Sequence, residues 1–373
     1  MAWNIGNTSV RNPWRIRDGL QVFADEFNGN LRGTALEAAF WTRLAERGVI
    51  QSQVVDPQKM AWHGRKWRSC FCKLGLASGD RYYRRGGSQA TLQQLVSADL
   101  GLTGRPYEIT LAGRRLIGAD TEAAVADVFL RQLLRLEVAS PTEKQDASTQ
   151  VKPLVLLLQV LQALQDQGKP GLTTEEIATF VQTANNHQNL RTRLQALLDH
   201  RVRRAALQGK KEKQAFDRQS LEAQKALAGL TIKSQSLRDY ADTTSRYCRA
   251  TGLVALRGSR LVLRERKQSL VKEILKTQPE FLSITDPLGY LVDFYSGSAI
   301  PTDNEPTALR ETQEIQKQLR GYGIQPRYSI AELAELDIRD LTTIRHSLEQ
   351  EFAAVREERF ARRHAEDTRA DTV

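Results

Sequence analysis

The opening 33 residues, MAWNIGNTSVRNPWRIRDGLQVFADEFNGNLRG, carry side chains suited to recognising phosphates and base edges. Arg11, Arg15, Arg17 and Arg32 offer fork-shaped cations, Asn12 and Asn30 are among five asparagines offering paired donors and acceptors, and Trp3 and Trp14 offer flat apolar anchors. A second cluster lies between Trp62 and Arg85, where seven cations, including Arg65, Lys66, Arg68, Arg84 and Arg85, face the single acid Asp80. Charge runs usually form solvated helix faces. Here Trp62, Trp67, Phe71, Tyr82 and Tyr83 interrupt the cations, and glycines let a backbone approach closely, a pattern that favours a nucleic-acid surface. By residue type and clustering, arginines and asparagines of the opening stretch are expected to read bases, and the 62–85 cations to grip phosphate.

Hydrolytic chemistry has a thinner basis. The chain holds a single acid-x-lysine triplet, Glu265-Arg266-Lys267, the arrangement in which a carboxylate holds a metal ion beside a lysine that positions water. Asp239 and Asp242 lie upstream on a helical pattern rather than on the partner strand that such a site needs. These four residues are the weak catalytic candidates, and a charged edge beside a hairpin explains them better. No metal site is expected, because Cys70-Phe71-Cys72 with His63 lacks a second ligand pair at zinc spacing. Neither GxxxxGK[ST] nor GxGxxG occurs, which argues against nucleotide-driven chemistry.

The run Trp3-Asn4-Ile5-Gly6-Asn7-Thr8-Ser9-Val10-Arg11-Asn12-Pro13, then Arg15-Ile16, Gly19-Leu20, Asn28-Gly29-Asn30-Leu31 and Gly33, resembles the opening of the AlwI family of type IIS restriction and nicking endonucleases. Similarity of the same kind continues at Leu111 to Ile117, Phe129 to Leu134 and Leu237 to Leu253, covering most of residues 1–310. The resemblance implies a protein that binds a short asymmetric duplex DNA site through helical N-terminal domains and cuts outside it with a separate metal-dependent nuclease domain. No such nuclease domain is recognisable in this sequence. Magnesium is therefore expected only with an associated nuclease domain or subunit acting in trans, and a cognate DNA methyltransferase is the expected functional partner. Two other readings stay open: a complete metal-dependent endonuclease with a divergent site in 237–320, or a non-catalytic DNA-binding regulator or defence subunit.

Composition agrees with a polyanionic partner. Lys plus Arg total 54 against 44 Asp plus Glu, a formal charge of +10 with pI near 9.6. Three cysteines are too few for a disulfide framework, so a reducing, cytoplasmic setting is expected. The longest apolar run, Leu154 to Val160, is too short for a membrane span.

The elements that must position these residues read as mainly α: tandem winged helix-turn-helix-like units with small β-hairpins, then a helical linker. The expected divisions are 1–139 (arm and first winged unit), 151–215 (a second helix-turn-helix-like unit), 216–280 (a third winged-helix-like unit) and 281–373 (linker and charged tail). Thr34 to Glu37 reads as a capping box opening a helix to about 47, followed by helices over 88–100 and 123–136. Tyr107 to Ile117 alternates about Ala112-Gly113 like a hairpin, whose wing would carry Arg114 and Arg115. Ser140 to Gln150 reads as a linker, Leu154 to Leu164 as a helix, and Thr173 to Glu176 as a cap before a break at Asn185-Asn186 and another helix from Leu190. A basic connection around 201–225 leads to a helix from Leu237, a C-cap at Gly252, and a hairpin about Arg257-Gly258-Ser259. Loop is expected from Pro287, then helices at about 307–320 and 330–363.

Overall fold

The computed structural model describes residues 2–10, 12–79, 89–142, 149–276, 279–297, 300 and 305–336, then 338, 340–341, 344–345, 347–348, 351–352 and 355. Residues 1–298 form one compact unit and 299–373 a second. Both are mainly helical.

The first unit starts with α1 (Trp14–Glu26), α2 (Thr34–Glu46) and α3 (Pro57–Lys73). Asp56 starts α3 by accepting the Gln58 and Lys59 amides, and Pro57 takes the first helical position, where no amide partner is needed. Phe23, Phe27, Phe40 and Phe71 meet with ring centroids 5.3–6.2 Å apart, giving the three helices an aromatic core. At Gly64 a Cβ would stand 2.0 Å from the Glu37 carbonyl oxygen, so only glycine lets α3 lie this close to α2. The expected capping box at Thr34 is absent: Gly33 holds the cap position without a side-chain bond, and Glu37 is buried against Arg68 instead.

Next come α4 (Gln89–Leu100), α5 (Leu111–Gly118) and α6 (Glu122–Arg135). The hairpin expected over 107–117 is replaced by α5. Thr110 caps that helix by accepting the Gly113 amide, and its hydroxyl donates to the Gly75 carbonyl. Gly113 makes no turn; a Cβ there would sit 2.1 Å from the Leu76 carbonyl oxygen, so it is a close-packing position. Arg114 and Arg115 consequently ride on a helix rather than a wing.

The following segment is α7 (Pro153–Asp166), β1 (Leu172–Thr173), α8 (Thr174–Glu176) running into a π-turn at Ile177–Val181, α9 (Leu190–Ala206), α10 (Lys210–Leu227), α11 (Ser234–Ala250), β2 (Val254–Arg257) and β3 (Arg260–Leu263). The Thr173–Glu176 capping box forms as the sequence requires. Residues 201–225, expected as a connection, are the end of α9 and most of α10. The sheet is antiparallel with order β1-β3-β2, and Leu172 pairs with Leu261. The hairpin expected to serve a third unit therefore completes a sheet begun in the second.

The unit closes with a short 3₁₀ turn at Glu265–Lys267, α12 (Gln268–Lys276), α13 (Leu282–Thr285) and α14 (Pro287–Ser296). Loop was expected from Pro287. Instead α14 buries Tyr290, Leu291, Phe294 and Tyr295, and the Gln132 amide donates to the Leu74 and Phe294 carbonyls at 2.8 Å each. In the second unit α15 (Glu305–Gly321) and α16 (Ile330–Ala334) enclose Ala308, Leu333 and Leu341. The tail from 356 onward lies outside the described residues.

The opening residues are part of the core. Trp3, Ile5 and Val10 are buried, the Trp3 indole donates to the Ala184 carbonyl at 2.8 Å, and Gln182 donates to the Trp3 carbonyl. The Tyr247 hydroxyl donates to the Val10 carbonyl at 2.9 Å and lies 3.0 Å from Cys70 Sγ. Burial pushes the Cys70 thiol up to about 12, so it stays protonated at neutral pH.

His187 supplies a pH-dependent tie. Its Nε2 accepts the Lys152 amide at 3.0 Å and its Nδ1 lies 2.8 Å from Gln159 Oε1, which requires a neutral ring donating through Nδ1. Burial, then the Lys152 charge, lower its pKa from 6.5 to about 4. The folded state thus resists a proton that the unfolded state takes up below 6.5. Its contribution is fully present above 6.5, falls as pH drops toward about 4, and levels off beneath that, a loss of about 3 kcal/mol. Urea denaturation between pH 7 and 4 is expected to show this slope flattened in His187→Gln. An unchanged slope would remove His187 as its source.

Candidate nucleic-acid interface

The residues expected to contact DNA divide into those with free heads and those committed inside the fold. Arg15 on α1, Arg32 before α2 and Arg65 on α3 are exposed, and their side chains hold no ion pair or hydrogen bond among the described residues. Asn30 is exposed in the loop between α1 and α2. Lys66 lies 5.0 Å from the Trp62 ring centroid, and burial, then the Lys73 and Arg65 charges, lower its pKa. The Trp62 ring is itself exposed and meets His63, which stacks on Trp41 at 4.5 Å. Trp14 is the other exposed tryptophan, at 44%. Arg15 and Arg65 thus stand in solvent on two packed helices that also expose Trp14 and Trp62, with Arg32 in the loop that leads into α2.

Others are spoken for. Arg68 donates to Glu37 Oε1 at 2.6 Å and to the Leu31 carbonyl at 2.8 Å, with its guanidinium 4.3 Å from the Tyr107 ring centroid. It neutralises a buried carboxylate, and phosphate contact would strand that charge. Arg17 is half-buried and donates to the Ile117 carbonyl at 3.3 Å. Asn12 accepts the Trp14 amide at 3.1 Å, turning the chain into α1, and Trp3, read as an anchor for a partner, is core. Arg11, Arg84 and Arg85 lie outside the described residues.

The weak catalytic set does not converge. Glu265 pairs with Arg257 at 2.7 Å on the hairpin, Asp242 pairs with Arg246 at 2.9 Å on α11, Asp239 shares that helix, and Lys267 is exposed on the 3₁₀ turn. Among the described residues no three His, Cys, Asp or Glu side chains are grouped so that they could hold a metal ion, so this set does not fit magnesium. Among the same residues no helix is long and apolar enough to cross a membrane.

One constellation went unanticipated. Glu176 accepts from Arg201 Nε at 2.7 Å, Arg201 Nη2 at 2.9 Å and Arg260 Nη1 at 3.1 Å, while both arginines donate to the Gly171 carbonyl. Its neighbour Glu175 takes a two-pronged bond from Arg238. These bonds tie α8, α9, α11 and the sheet together. The signal in sequence was the buried role a capping-box glutamate acquires beside basic helices.

A solved structure, the BpuJ1 endonuclease binding domain in complex with pyrene- and phenanthrene-modified DNA, is similar to this chain at TM-score 0.43 and 13% identity, over 79% of this chain and 97% of that one. No curated protein matches the chain. The profile of the AlwI restriction endonucleases matches residues 95–372, 278 of the 373 positions. On that match the chain belongs to the AlwI restriction endonuclease family.

Proposed function

We propose that this protein recognises a specific duplex DNA sequence as part of a type IIS-like restriction or nicking endonuclease. Family membership over three quarters of the chain is the observation that carries the reading. The charge of +10 and the free heads of Arg15, Arg32 and Arg65 support it physically. Strand cleavage, with magnesium, falls to a nuclease domain or subunit whose residues are not among those described, and a DNA methyltransferase protects the host site. The alternative of a divergent centre within 237–320 is weakened because Asp242 and Glu265 are bound to arginines on separate elements.

Within residues 1–298, the order α7, β1, α8 with its π-turn, α9, then β2 and β3 on a β1-β3-β2 antiparallel sheet supports a winged helix-turn-helix reading. In that reading α10 and α11 are an insertion, and 151–215 and 216–280 together make one winged unit rather than two.

Binding is tested by fluorescence anisotropy against a randomised duplex pool and the sequences it enriches. Affinity is expected to fall by about 10³- to 10⁵-fold between roughly 50 and 200 mM salt if six to ten phosphates are neutralised. Arg65→Ala with Lys66→Ala weakens binding to every sequence alike. Arg15→Ala or Arg32→Ala costs about 1–3 kcal/mol of discrimination if a bidentate base contact is removed. Equal affinity for all duplexes at moderate salt would refute specific recognition.

A further inference from the structure

We propose that the outward face of α9 reads bases in the DNA major groove, with Arg191, Thr192, Gln195 and Val202 as the reading side chains. The inference rests on the DNA-binding function proposed above and assigns it a second recognition element, apart from α1 and α3. At about 100° per residue, positions 191, 192, 195, 199, 202 and 203 fall within roughly one third of the helix circumference. All six are exposed. The opposite side is used for packing: Leu194, Leu197 and His200 are buried, His200 stacks on Phe216 at 4.8 Å, Arg201 binds Glu176, and Arg204 binds Asp217 at 2.8 Å.

The two sides differ in chemistry as well as exposure. On the packed side Arg201 and Arg204 are neutralised by carboxylates and Arg193, half-buried, donates to Thr183 Oγ1 at 3.4 Å, whereas the side chains of Arg191 and Arg203 hold no ion pair or hydrogen bond among the described residues. Of the outward residues, arginine suits the O6 and N7 acceptors of guanine, glutamine the N6 and N7 of adenine, and the methyl groups of threonine and valine the thymine methyl. Val202 is 72% exposed, an unusual apolar placement that a thymine contact would cover. Gln195 now donates to Asp199 at 2.8 Å, and that exposed bond can be exchanged for a base edge.

The helix is mounted rigidly for this task. Glu176 locks it to the Gly171 loop and to β3, and the π-turn at Ile177–Val181 packs against it. The chain leaving β3 exposes Arg264, Arg266 and Lys267, cations of the kind that contact phosphate rather than bases.

The test uses the full chain and a duplex pool randomised over about 20 base pairs, roughly two helical turns. Arg191→Ala and Gln195→Ala are each expected to lower discrimination at one or two adjacent base pairs by about 5- to 150-fold, leaving preference elsewhere in the site intact. Gln195→Arg is expected to move the preference at its position toward guanine, a gain that a folding defect cannot mimic. Variants that enrich the same sequence with undiminished discrimination, or lose affinity for all duplexes equally, overturn the assignment of α9 while leaving the proposed function standing. A wild-type chain that enriches no sequence overturns both.

Discussion

Glu176→Ala is expected to lower the free energy of unfolding by about 3–5 kcal/mol, because it leaves two arginines without their carboxylate in a partly dry site. Burial raises the Glu176 pKa, but the Arg201 and Thr173 hydrogen bonds with the Arg201 and Arg260 charges outweigh it and hold the pKa below the ordinary carboxylate value. That stabilisation is present above the unfolded carboxylate pKa and is lost as pH falls through the lower folded one. Alanine also removes the reciprocal cap at Thr173, worth about 1 kcal/mol of the total. Urea titrations at pH 7 followed by circular dichroism supply the number. Glu176→Gln, which preserves the shape and the acceptor but not the charge, should fall between. A loss under about 1 kcal/mol would mean that the arginines find other acceptors, such as the Gly171 and Pro170 carbonyls they already reach.

Trp3→Ala is expected to cost a similar 3–5 kcal/mol, the usual range for emptying a large aromatic site in a core. Trp3 is 1% exposed and makes hydrogen bonds at both ends, to Ala184 through its indole and from Gln182 at its carbonyl. Trp3→Phe retains most of the ring volume and strands the Ala184 carbonyl, so a loss of about 1–3 kcal/mol is expected. Thermal unfolding of both variants checks this. Melting points within a degree of the parent would show that Trp3 contributes nothing to the folded core.

The helices with clear apolar spacing were legible: α2, α6, α7 and α11 lie within a few residues of expectation, as does the hairpin about Gly258. What was hidden has specific causes. Two residues, Leu172-Thr173, are too few to show a strand period, so the partner of β3 could not be seen. A glycine that permits a turn looks the same in sequence as one that permits close packing, which is why Gly113 was taken for a bend. Arg65 and Arg68 are three positions apart in one basic run, yet only the second is consumed inside the fold. A clue existed in Glu37, which shares a helix face with Phe40 and Leu44 and so had to find a cation. The outward polar face of α9 was equally visible in composition, but its significance depends on knowing which side the core occupies.

The pairing of Leu172 with Leu261 has a consequence for synthesis. When β1 leaves the ribosome, 89 residues remain before its strand partner is made. At about 5–20 residues per second, the wait is roughly 4–18 s. Once Arg201 has followed, Glu176 has that arginine but still lacks Arg260, and the Gly171 backbone that β3 later covers stands open. The nascent chain is therefore exposed to mispairing or proteolysis at this one place for longer than at any local helix, and translation rate across 174–260 becomes a determinant of yield.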